Sequence, residues 1–78
     1  MKIITFIDIA QINQILESKN INYTLKLQDT CGNQALTLIQ NGEKKEIAEI
    51  CEIINVYLKP KYMQVKPGKI KSENLMLY

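Results

Sequence analysis

One short stretch of this chain brings reactive side-chain types close together: Asp29-Thr30-Cys31-Gly32. A thiol in a tight turn is accessible in a way that a core thiol is not, and the chemistry open to it is nucleophilic or redox, through the thiolate. Asp29 opposes that ionisation by like charge, and the chain has no histidine or arginine to favour it. The simpler reading makes Cys31 a small, partly buried turn residue. A metal site at Cys31 and Asp29 is no better supported: one thiolate and one carboxylate leave a tetrahedral zinc site incomplete, and no Cys-x-x-Cys or histidine spacing supplies the rest. Cys51 falls on the apolar stripe of a helix, where free cysteine packs as a small hydrophobe. A bridge from Cys51 to Cys31 requires α-carbons within about 7 Å and an oxidising compartment. The sequence therefore assigns no catalytic residue, cofactor or metal, with Cys31 beside Asp29 as the single candidate for thiol redox or sulfur handling.

A second cluster is electrostatic. Lys59, Lys61, Lys66, Lys69 and Lys71 follow one another closely, with Tyr62 among them. Such a segment attracts phosphate backbones without specificity. Lysines that protect an edge strand from aggregation are the simpler explanation. Without arginine the chain also lacks the preferred reader of phosphates and guanine edges, so its composition argues against a nucleic-acid partner. Glu46, Glu49 and Glu52 read as a solvated helix face. No glycine-rich phosphate loop, nucleophile elbow or carboxylate pair is legible.

The elements that must position these residues centre on Tyr23–Gln40, which reads as a hairpin. Tyr23, Leu25 and Leu27 alternate with Thr24, Lys26 and Gln28, and in the return strand Leu36 and Leu38 alternate with Ala35, Thr37 and Ile39. Gly32 suits the positive φ of a short hairpin loop. Two strands bury too little alone, so other elements must cover the apolar side. Upstream, Thr5 and Asp8 form a capping-box variant that predicts a helix from Phe6, with Ile9, Ile12, Ile15 and Leu16 as its stripe and Asn20 as its left-handed stop. Downstream, Asn41-Gly42 is a turn. A second helix is predicted from about Glu43 to Leu58, with Ile47, Ile50, Cys51, Ile54 and Leu58 on one face and Pro60 ending it. Residues 62–66 predict a short strand broken by Pro67-Gly68, and residues 74–78 a final one. Residues 2–5 form either a strand stub or an extended lead-in. No internal repeat is legible.

These 78 residues make one small α+β domain spanning 1–78. The economical packing is a two-layer sandwich: a mostly antiparallel sheet of three to five strands with both helices on one face, in the order α-β-β-α-β(-β). A ferredoxin-like split β-α-β is the alternative if residues 2–5 join the sheet. No apolar run is long enough to span a membrane, and two cysteines are too few for a secreted disulfide scaffold, so a cytoplasmic location is expected. The far sheet face, with Thr24, Lys26, Ala35, Thr37 and Ile39, is less polar than a solvated face requires. The expected role is a non-catalytic binding module that meets a protein partner or a second copy through a sheet edge or that face.

Around Leu27-Gln28-Asp29-Thr30-Cys31-Gly32-Asn33-Gln34 the chain resembles the RDAC family, small bacterial proteins named for an Arg-Asp-Ala-Cys motif followed by glycine. Asp29, Cys31 and Gly32 match, whereas Gln28 stands at the arginine and Thr30 at the alanine. The preceding helix and the Asn22-Tyr23 lead into the strand are similar too, so the likeness covers about the first half of the chain. It implies a single cytosolic bacterial domain and carries no activity with it.

Overall fold

Thr5 starts the first helix. In the computed structural model, which describes residues 3–30 and 33–78 and only the backbone at 29, 30, 33 and 34, the Thr5 hydroxyl accepts the Asp8 N–H at 3.2 Å. The Asp8 carboxylate accepts the Thr5 N–H at 3.0 Å in return. This capping box launches α1 (Phe6–Ser18) where the sequence predicts it. Ile12 and Leu16 are buried, while Ile9 and Ile15 are half-covered. Asn20 adopts a left-handed φ of 59°, and the next N–H, of Ile21, returns to the Leu16 carbonyl at 2.9 Å.

The chain then forms β1 (Tyr23–Thr30) and β2 (Asn33–Gln40), an antiparallel pair in which Leu25 faces Leu38 and Leu27 faces Leu36. Tyr23, Leu25, Leu36 and Leu38 point into the core, as their alternation predicts. The turn predicted at Cys31-Gly32 falls on residues outside those described. The second helix, α2 (Ile47–Leu58), begins later than the Glu43 start read from the sequence. One reason is that the Lys45 N–H donates to the Tyr23 hydroxyl at 3.2 Å, which ties the lead-in to β1. Its buried face is the predicted one: Ile47, Ile50, Cys51, Ile54 and Leu58. α2 ends at Leu58, two residues before Pro60, as the sequence predicts. Pro60 itself sits in a short 3₁₀ turn, Lys59–Lys61, which closes on Tyr62 at a left-handed φ of 58°.

β3 (Val65–Lys66) and β4 (Asn74–Leu77) complete a four-stranded antiparallel sheet in the order β1-β2-β4-β3. Both helices pack on one face, α1 against β1 and α2 against β3. Residues 3–5 join no strand, Ile4 being buried in the core ahead of α1, and Lys2 lies outside the described residues; the observed element order is that of the two-layer sandwich. The β3–β4 connection doubles back tightly enough that a Cβ on Gly68 would collide with the carbonyl oxygens of Lys71 and Asn74.

The second half of the molecule repeats the first, which corrects the reading that no repeat exists. Ile12-Asn13-x-x-Leu16 in α1 returns as Ile54-Asn55-x-x-Leu58 in α2. At the same offset, left-handed Asn20 becomes left-handed Tyr62, and the Ile21-to-Leu16 bond becomes a Met63-to-Leu58 bond of 3.3 Å. Each αββ half lays its helix over its outer strand, and the halves meet where Leu36 faces Leu75. Neither half alone can cover its apolar face, so joining them produces the core.

Candidate functional site

Three regions could carry function: the end of the helix layer, the sheet edges and the uncovered sheet face. At the helix end a groove of about 670 Å³ is lined by Ile3, Ile7 and Tyr62 around Asp8, Tyr57 and Lys61. Asp8 is only 5 % exposed. Its carboxylate accepts the Thr5 N–H, the Thr5 hydroxyl at 3.0 Å and the Tyr57 hydroxyl at 2.7 Å, with the Lys61 ammonium 3.4 Å away. The Gln11 side-chain oxygen lies 2.6 Å from the same Tyr57 hydroxyl. A phenol has one hydrogen to give, and the charged carboxylate is its stronger acceptor; a Gln11 amide turned over presents an N–H to the phenol oxygen.

Burial pushes the Asp8 carboxyl up, but the bonds from Thr5, Tyr57 and Lys61 outweigh it and hold the group at about 2. Tyr57 moves up, first through burial and then through its bond to, and the charge of, Asp8. At neutral pH the pair is a carboxylate and a phenol joined by one hydrogen bond. It ties the start of α1 to the end of α2. The repeat shows that the fold does not demand polar residues here, since Asp8 corresponds to Ile50 and Tyr57 to Ile15.

The sheet edges are occupied where the helices cross them. The Asn13 amide accepts the Leu25 N–H at 2.7 Å and donates to the Leu25 carbonyl at 3.2 Å, as a neighbouring strand would. On the opposite edge Asn55 does the same to Val65, at 2.7 and 3.0 Å. A partner adding a strand at either position would have to displace an amide that already satisfies the backbone.

The face away from the helices remains. Alternation puts Thr24, Lys26 and Gln28 of β1 there, then Ala35, Thr37 and Ile39 of β2, Asn74 and Met76 of β4, and Lys66 of β3. Gln64 and Tyr78 extend this face by exchanging backbone bonds of 2.7 and 2.8 Å. The Lys66 ammonium lies 4.8 Å from the centre of the Tyr78 ring. Asn41 donates to the Thr24 hydroxyl at 2.6 Å, and Thr37 to the Asn74 side chain at 3.3 Å.

The predicted site residues fare unevenly. Cys31 lies outside the described residues, and Asp29 is placed only as a β1 position paired with Gln34. Cys51 is a free, buried thiol that burial pushes up to about 11. The lysine segment is divided: Lys61 turns to Asp8, Lys66 joins the open face, Lys59 is in the 3₁₀ turn, and Lys69 and Lys71 are exposed in the β3–β4 connection. Among the described residues no group of three metal-ligating side chains comes together, and no helix is long and apolar enough to cross a membrane. Sequence reasoning missed the two asparagine clamps. The repeated Ile-Asn-x-x-Leu was the signal that could have found them. No family model, curated protein or solved structure matches the chain.

Proposed function

We propose that this chain is a non-catalytic binding module of the bacterial cytoplasm that meets its partner with the open face of its sheet. The observation that carries this reading is the one-sided packing of the sandwich. Both helices cover one face, while Ala35, Ile39, Met76 and Tyr78 stand among Thr, Asn, Gln and Lys on the other. A surface that mixes apolar contact with polar and cationic side chains is what a binding platform needs. The edges are less available because Asn13 and Asn55 already serve Leu25 and Val65. Membership of the RDAC family, resting on Asp29, Cys31 and Gly32, forms part of the same proposal and adds no activity to it.

The test maps where small organic probes settle. Isopropanol and phenol are titrated into ¹⁵N-labelled protein while backbone amide shifts are followed. The reading expects the largest shifts at Lys26, Thr37, Ile39, Met76 and Tyr78. Shifts confined to the helix-end groove, at Ile3, Ile7 and Tyr62, would move the binding surface to the other layer.

A further inference from the structure

We propose that the open sheet face takes single-stranded nucleic acid, holding phosphates with its lysines and stacking a base on Tyr78. This rests on the binding-platform reading above and names its ligand. The first support is charge. Asp8, Glu17, Glu49 and Glu52 belong to the helices, and Glu43 and Glu46 to the lead-in of α2, all in the layer behind the sheet. The open face has exposed Lys26 and Lys66 and no carboxylate among its described side chains. Glu73 lies two residues before Leu75 and so falls on the same side of the sheet as Leu75, away from that face. Lys69 and Lys71 follow Lys66 in the next connection, both exposed. Such a face attracts a polyanion and repels a second copy of itself.

The second support is the placement of aromatic rings, which separates a nucleic acid from an acidic peptide. Tyr78 is 41 % exposed, and the Lys66 ammonium over its ring puts a phosphate-binding group beside a stacking surface. Tyr78 also borders a hollow of about 360 Å³ at the β3 edge, shared with Lys59 and with Tyr62, which is 87 % exposed. Lys66, Tyr78, Lys59 and Tyr62 therefore lie close together at the β3 edge of the face. Lys26 and Lys66 lie on the two outer strands, three strand spacings apart across the sheet and two residues apart along it, about 16 Å in all, a span of a few nucleotides. An acidic peptide would use the lysines and leave the rings idle. Without arginine the face cannot make the bidentate guanine contact, so binding is indifferent to sequence.

The test is fluorescence anisotropy of a labelled thymidine 12-mer with the full chain, compared with cytidine, adenosine and glutamate 12-mers. Two or three phosphate contacts give a log–log salt slope of about −1.4 to −2.1, so affinity falls about 7- to 18-fold between 50 and 200 mM salt. Lys26→Gln and Lys66→Gln each remove about 0.7 from that slope. Tyr78→Ala weakens binding about 5- to 150-fold, whereas Tyr78→Phe, which keeps the ring, does not. Homopolymers that bind within a few-fold of one another complete the expected pattern. Thymidine binding unaltered by these substitutions would place the ligand elsewhere and overturn the inference. A glutamate 12-mer that binds the same face while thymidine does not would overturn it and leave the platform reading standing. No binding of either probe at 50 mM salt would also overturn it, and the solvent map then decides the platform separately.

Discussion

Replacing Asn13 with alanine should cost this domain a large share of its stability. The amide closes a two-bond ring with Leu25, accepting at 2.7 Å and donating at 3.2 Å, and Leu25 is only 1 % exposed. Truncation leaves one N–H and one C=O without a partner at a buried edge position, at about 1–3 kcal/mol each. Alanine returns about 0.7 kcal/mol in helix propensity, and water entering from the edge recovers part of the rest. The net cost is about 2–3 kcal/mol, against about 4–12 kcal/mol in total for 78 residues. For a chain of this size that lowers Tm by about 8–24 °C. Asn55→Ala should behave alike through Val65, and because the clamps share no partner their costs should add. Thermal and urea unfolding followed by far-ultraviolet circular dichroism reads both. Asn13→Asp keeps the acceptor for the Leu25 N–H but sets a carboxylate against the Leu25 carbonyl. Protonation restores a donor, so that variant should gain stability as the pH falls from 7 to 4. Single alanine variants that melt within about 2 °C of the parent would refute the clamp.

Asp8 and Cys51 supply two further expectations. The Asp8 carboxyl is held at about 2 against an ordinary 3.8, so its contribution is present above 3.8 and lost as the pH falls through 2. After allowance for solvent screening of the exposed Lys61 partner the contribution is about 1–2 kcal/mol, and Asp8→Asn should remove that pH dependence in acid titrations of Tm. With its thiol pushed up to about 11, Cys51 should resist a neutral alkylating reagent at pH 8 in the folded protein and react on unfolding. Rapid labelling of Cys51 in the native state would show that the α2 face opens readily.

Much of the fold was legible because local chemistry and burial agree. Thr5 and Asp8 announce the first helix, Asn20 stops it, and alternation in Tyr23–Gln28 and Ala35–Ile39 sorts each strand into two faces. Errors arose where a distant contact decides the local shape. The start of α2 depends on the Tyr23 hydroxyl reaching Lys45, a contact between residues far apart in the chain. The clamps were illegible one residue at a time, since an asparagine inside a helix carries no local mark of an edge bond. Only comparison of the two halves exposes them. The candidate site was half visible: alternation identifies the mixed face, but the pairing of Lys66 with Tyr78 and the loss of Lys61 to Asp8 depend on packing.

The most direct test of the open face compares methyl signals in ¹³C spectra as the thymidine 12-mer is added. Ile39 and Met76 report the open face, and Ile3, Ile7 and Val56 the exposed helix layer. Shifts and broadening at Ile39 and Met76 with the helix-layer methyls unmoved are predicted. Movement at Ile3, Ile7 or Val56 while Ile39 and Met76 stay still would contradict the account.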